Sequence, residues 1–228
     1  MPGSVFQSAT ISLAQTTTGG PTPGVIGRWP FDEGSGAIAY DVSGNGNNAI
    51  VNGATWIAGQ QNWALGFNRS TSFVVTPPIA LANTFTVSAW VNPSGAQTSY
   101  GRIAETQYYD GLYLGLNVSG NQYKWIVNGG AGATGVCGTS FGCAEGGAVT
   151  PGWHLVTGTF DGARGLLYVD GTLVASETFL APVNTDLPLY IGRGYDGSGN
   201  GWNGGIDQVR FYNRALTAAE VAALFLNQ

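Results

Sequence analysis

Asp207 interrupts an apolar run, Gly205-Ile-Asp-Gln-Val-Arg-Phe-Tyr-Asn-Arg-Ala-Leu216, in which Ile206, Val209 and Phe211 favour a β-strand. A buried carboxylate without a partner is costly. In a secreted β protein the cheapest partner for it is a hard cation held by oxygen atoms. Two other segments place oxygen-bearing side chains at alternate positions before a glycine: Asp41-x-Ser43-x-Asn45-Gly46 and Asp196-x-Ser198-x-Asn200-Gly201. Both copy the first half of a calcium loop. Their twelfth positions are Asn52 and Asp207 rather than the bidentate glutamate of such loops. The same residue types also favour Asx-type turns that need no metal.

A second chemistry is sugar binding. The apolar face of a sugar packs on a flat ring, while its hydroxyls need amides and carboxylates nearby. Tyr100, Tyr108 and Tyr109 share one segment with Gln97, Arg102 and Gln107. Tyr195, Asp196, Asn200, Trp202 and Asn203 share another, and Trp125 and Asn128 lie on and just after a strand. The candidate carbohydrate-binding residues are therefore Tyr100, Tyr108, Tyr109, Trp125, Tyr195, Trp202 and Asn203. The alternative for each loop aromatic is a plug over the edge of the fold.

Catalytic signals are weak by comparison. Glycoside hydrolysis needs two carboxylates facing each other across a cleft. Glu33, Glu105, Glu145, Glu177 and Glu220 are isolated along the chain. Glu105 with Asp110 is the one loose pair near aromatics, and it reads as a polar loop between two strands. His154, the single histidine, has no serine or cysteine nucleophile signature near it and reads as structural. The chain reads as a binding protein sooner than as an enzyme.

These residues must be held by a β scaffold. Short apolar runs alternate with period two at Thr84–Val91, Gly111–Val118, Tyr123–Val127, His154–Phe160 and Gly165–Val169, with Asp161-Gly162 and Asp170-Gly171 as hairpin turns. About a dozen such strands make an all-β, antiparallel, two-sheet jelly-roll sandwich. One short helix is expected at the C-terminus. There Thr217-Ala-Ala-Glu220 forms a capping box ahead of an apolar stripe of Val221, Leu224 and Phe225.

Composition agrees with that class. Of 228 residues, 43 % are hydrophobic, 12 % aromatic and only 9 % charged, against about 25 % charged in an average domain. The net charge of −5 and eight scattered Lys and Arg exclude a nucleic-acid surface. No apolar run is long enough to span a membrane. Cys137 and Cys143 enclose a short Gly-rich loop and read as a disulfide, which implies an extracellular or cell-surface location. Residues 1–24 carry Thr-, Gly- and Pro-rich linker composition, so they read as an extension before a single domain over 25–228, part of a longer secreted protein.

The motifs taken together resemble the laminin-G-like jelly-roll domains of the concanavalin A-like lectin/glucanase superfamily. The resemblance rests on Gly27-Arg-Trp-Pro-Phe-Asp-Glu-Gly-Ser-Gly36, Phe85-Thr-Val-Ser-Ala-Trp-Val-Asn92, Trp153-His-Leu-Val-Thr-Gly-Thr-Phe-Asp-Gly162, Leu167-Tyr-Val-Asp-Gly171 and Gly205–Leu216. It implies a structural calcium held jointly by the two ends of the chain, with Asp32, Asp41, Asn45 and Asp207 as candidate ligands. It assigns Trp29, Trp90 and Trp153 to packing. The Glu-x-Asp-x-x-Glu run of related sandwich glucanases is missing, and Gln208 stands where the family carries an acid. The resulting expectation is a secreted, non-catalytic, lectin-like module for a polysaccharide or glycan. The alternatives are an adhesion domain for another extracellular protein, or a polysaccharide hydrolase or lyase of the same fold.

Overall fold

A computed structural model describes residues 23–97, 99–107, 111–128, 143–179, 186–197 and 200–227. The expected extension over residues 1–24 thus lies almost entirely outside the described residues. In chain order the strands are β1 (Val25–Trp29), β2 (Ile38–Ala39), β3 (Ala49–Asn52), β4 (Thr55–Ala58), β5 (Trp63–Asn68), β6 (Phe73–Ala80), β7 (Phe85–Pro93) and β8 (Arg102–Glu105). They continue as β9 (Leu112–Leu116), β10 (Gln122–Val127), β11 (Ala144–Ala148), β12 (His154–Phe160), β13 (Arg164–Val169), β14 (Thr172–Thr178), β15 (Asp186–Ile191) and β16 (Asn203–Tyr212). One helix, α1 (Ala218–Leu226), follows.

The strands form two antiparallel eight-stranded sheets. The first runs β14-β13-β12-β7-β16-β5-β4, with β1 also on β16; the second runs β11-β10-β9-β8-β15-β6-β3-β2. This is the jelly-roll sandwich that the alternating runs predict. Period-two alternation gives each sheet one apolar face and one outer face. Across the second sheet the inward row is Val51, Val74, Ile191, Ala104, Leu114, Trp125 and Ala144, all buried. Leu65, Ile206 and Val91 answer it from the first sheet. Phe85 sits at the aromatic centre, with ring centroids 5.4 Å from Phe160, 6.0 Å from Trp125 and 6.3 Å from Phe211.

The turn chemistry works as the sequence states it. Asp170 and Gly171 both take positive φ (52° and 76°), which suits a two-residue hairpin between β13 and β14. Asp161 Oδ1 accepts from the backbone N–H of Ala163 and of Arg164 and so shapes the turn after β12. Helix α1 begins with the complete capping box: Glu220 N–H donates to Thr217 Oγ1, and Thr217 N–H donates to Glu220 Oε2. Its stripe lands on the outer face of the first sheet. Val221 packs with Tyr168, Tyr212 and Leu216, and Phe225 stacks on Trp90 at 5.7 Å. No helix among the described residues is long and apolar enough to cross a membrane.

Candidate functional site

The outer face of the second sheet changes character from one side to the other. Register aligns Ile38, Ile50, Val75, Tyr190, Glu105, Tyr113 and Ile126 in one row across seven strands. At one end Ile38 and Ile50 are about half exposed (46 % and 56 %), whereas Glu105 and Tyr113 are fully buried. A neighbouring row carries Arg102, Gly115, Lys124 and Glu145. An apolar lane therefore runs toward a buried charged cluster.

Two ion pairs define the cluster. Arg102 Nε lies 2.7 Å from Glu105 Oε2, and Lys124 Nζ lies 3.1 Å from Glu145 Oε1. The Arg102 guanidinium also donates to Tyr100 O at 2.8 Å and covers the Tyr113 ring, while Lys124 Nζ faces the Tyr100 ring at 5.5 Å. Tyr100 holds a positive φ of 56°, an uncommon conformation for a residue with a side chain. Burial raises the Glu105 carboxyl above its ordinary range despite Arg102, and the Asp196 charge adds to that. Burial likewise lowers the Lys124 ammonium, with Glu145 opposing. Glu105 Oε1 is buried with no hydrogen-bond partner among the described residues. Gly194 makes room for this arrangement: a Cβ there would lie 3.1 Å from Arg102 Nε, 3.1 Å from Asp196 Oδ1 and 3.5 Å from Glu105 Oε2. Charged donors and acceptors in a low-dielectric setting make stronger hydrogen bonds than neutral ones.

Of the residues expected to bind sugar, Tyr100 joins this cluster. Tyr195 is partly buried against the core, and its backbone amide faces the Glu105 carboxylate. Tyr108 and Tyr109 lie outside the described residues. Trp125 and Trp202 require correction. Both are fully buried, with indole N–H groups donating to Thr159 O (3.0 Å) and Gly205 O (3.1 Å), so neither offers a ring face to a ligand. Asn203 braces a loop, donating through its side chain to Ser94 O while its backbone exchanges hydrogen bonds with Gln97. Glu105 is also corrected: it is not a loop residue but the last residue of β8. Lys124 and Glu145 carry signals that went unread. Lys124 sits in the alternating run Tyr123-Lys-Trp-Ile-Val127, at a position where the chain faces away from the core.

The acidic segments divide as well. Asp41 is consumed by a turn: Oδ1 accepts from Arg28 and Ser43 N–H, and Oδ2 from Asn47 N–H. Asn45 Nδ2 donates to Val25 O and Ser43 Oγ. Asp207 is fully buried, accepting from Gln61 and Gln208 N–H. Its carboxyl is pushed up to about 7, mainly by burial, with the charge of nearby Asp32 contributing. Asp32 accepts from Trp63 N–H at 3.5 Å, so both carboxylates converge on the turn between β4 and β5. Among the described residues no three acidic, His or Cys side chains gather in a metal-binding group. Cys143 is buried beside β11, and Cys137 lies outside the described residues.

A family model described as the concanavalin A-like lectin/glucanases superfamily, Laminin_G_3, matches residues 67–222. The chain belongs to this superfamily. No curated protein matches the sequence. Among solved structures, this laminin-G-like chain is similar to domain 4 of AbnA, an extracellular GH43 arabinanase from Geobacillus stearothermophilus, solved with arabinotriose. The TM-score there is 0.67 at 18 % identity, covering 88 % of this chain and 98 % of that one. It is also similar to part of Trypanosoma rangeli sialidase (TM-score 0.68, 21 % identity, 91 % of this chain and 34 % of that). A third is the binding domain of botulinum neurotoxin DC in complex with SialylT (TM-score 0.68, 14 % identity, 90 % and 52 %). At these identities the likeness is one of fold. The chain spans about half of the neurotoxin structure and a third of the sialidase.

Proposed function

We propose that this chain is a secreted, non-catalytic glycan-binding module whose ligand lies along the outer face of the second sheet. The observation that carries the reading is the register that joins the exposed Ile38–Ile50 lane to the buried Arg102–Glu105 and Lys124–Glu145 pairs beside Tyr100. A sugar ring would lie on the apolar lane and its hydroxyls would meet the partly exposed rim of the cluster, Tyr100 and Glu145, which the buried Arg102, Glu105 and Lys124 side chains hold in place. Tyr195 belongs to the same reading as a neighbour of the cluster, and Tyr108 and Tyr109 remain candidates from the sequence alone. The arabinotriose bound to the AbnA domain and the SialylT bound to the neurotoxin domain support it by likeness of fold.

Titration calorimetry against arabinotriose, sialyllactose and a glycan panel tests the reading. Binding is expected, with a loss of about tenfold or more in Tyr100→Ala and Lys124→Met. A panel that gives no binding to the folded wild-type chain overturns it.

The reading includes a structural calcium. The donor set fits a hard cation in one respect: Asp207 is fully buried, forms no ion pair among the described residues, and has a second carboxylate, Asp32, close by. Asp32 and Asp207 would be its carboxylate ligands, tying the start and the end of the domain together; Asp41 and Asn45 are already engaged in a turn. Addition of EDTA should lower the melting temperature of wild type and leave Asp207→Asn unmoved. A Cys137–Cys143 bridge completes the extracellular reading, and thiol titration before and after reduction tests it.

A further inference from the structure

We propose a second ligand groove on the opposite face of the sandwich, built to take an uncharged glycan. It is a depression of about 420 Å³ on the outer face of the first sheet, within the range of small-ligand sites. Its floor is set by register: Thr55, Gly66, Gly205 and Asn92 stand side by side on β4, β5, β16 and β7. The missing Cβ atoms of Gly66 and Gly205 let neighbouring side chains settle close over the sheet. Ile57, a lining residue, has its Cγ2 3.2 Å from the place of a Cβ at Gly66, and the Trp153 ring packs over the buried Gly205 beside the groove, its Cη2 2.7 Å from the place of a Cβ there. Helix α1 covers the same sheet face at Trp90 and Tyr212 and leaves this end open.

The lining identifies the ligand class. None of the groove's lining residues is charged. Asn68 and Asn203 have their side chains committed to the protein. The Asn92 amide, the Thr55 hydroxyl and the Trp153 indole N–H have no protein partner among the described residues. Neutral donors and acceptors beside an indole match a polyhydroxylated ring with no ionised group. A charged ligand would meet no counter-charge here and would be desolvated without compensation. The groove is independent of the second-sheet site: it lies on the other sheet and shares no residue with it.

Nuclear magnetic resonance titration with neutral hexasaccharides tests the proposal, using arabinohexaose, xylohexaose, cellohexaose, mannohexaose and maltohexaose as probes. At least one is expected to shift the Trp153 indole N–H signal in a saturable way. Asn92→Ala should weaken that binding about tenfold, the worth of one good hydrogen bond. Gly66→Ala, which fills the floor, should weaken it further. Lys124→Met, which alters the other face, should leave it unchanged. No shift at Trp153 with any probe at millimolar concentration overturns the proposal. So does a shift that survives Asn92→Ala at full affinity, or one abolished by Lys124→Met. If Gly66→Ala does not fold by circular dichroism, Asn92→Ala decides the matter alone.

Discussion

The two outer faces of this sandwich lie over one shared core yet differ in what covers them. The first sheet covers part of its outer face with its own helix, through Phe225 on Trp90 and Val221 against Tyr168 and Tyr212. The groove left open beside it is lined by uncharged residues. No helix among the described residues covers the second sheet, which buries Arg102, Glu105 and Lys124 on its outer face. Neighbouring residues of β10 show the contrast at its sharpest: Trp125 faces in and packs in the core, while Lys124 faces out into the cluster where we place the ligand. Stability and recognition are separated by the period-two alternation of a single strand.

The sharpest way to break that division is within β10. Trp125→Ala should cost about 3–5 kcal/mol and lower the melting temperature steeply. Lys124→Met leaves the Glu145 carboxylate, a quarter exposed, without its partner and should cost about 1–2 kcal/mol, well below Trp125→Ala, while glycan binding falls. Equal destabilisation by both would refute the division. Glu105→Gln leaves the Arg102 guanidinium buried without its counter-charge, and chemical denaturation should show a loss of about 3 kcal/mol.

Asp207 supplies a pH test on the first sheet. Its carboxyl holds its proton to about 7 in the fold, against 3.8 for an unperturbed aspartate. Between those values the native state binds a proton that the unfolded chain has released. Without calcium, stability should therefore fall as pH rises from about 4 to about 7, by a few kcal/mol at most. Asp207→Asn should flatten that slope in denaturant titrations, and calcium should offset the loss in wild type. The smallest effect belongs to the helix cap: Thr217→Ala should cost about 1 kcal/mol by loss of the hydrogen bonds to Glu220.

Much of the fold was legible because alternation and turn chemistry are local. The runs at Thr84–Val91 and His154–Phe160, the Asp170-Gly171 turn and the Thr217–Glu220 box each state their structure within a few residues. The site was less legible. Trp125 and Trp202 were read as sugar platforms because an aromatic near polar residues looks the same whether its ring points in or out. Only strand register distinguishes the two, and register is a tertiary property. Glu105 reads as a loop residue because its strand is only four residues long and nothing local marks that strand as central. The Gly66–Gly205 floor joins residues far apart in the chain and leaves no trace in either segment alone.

Both sheets are completed by strands from the end of the chain. In the first, β16 lies between β7 and β5; in the second, β15 lies between β8 and β6. A ribosome that has not yet released these last strands presents four partial sheets with open edges, not two finished ones. Contacts of such long sequence separation form slowly, and unpaired edges invite association with other chains. Nascent copies of this protein will therefore depend on chaperone cover, or on dilution, until the closing strands slide into their gaps.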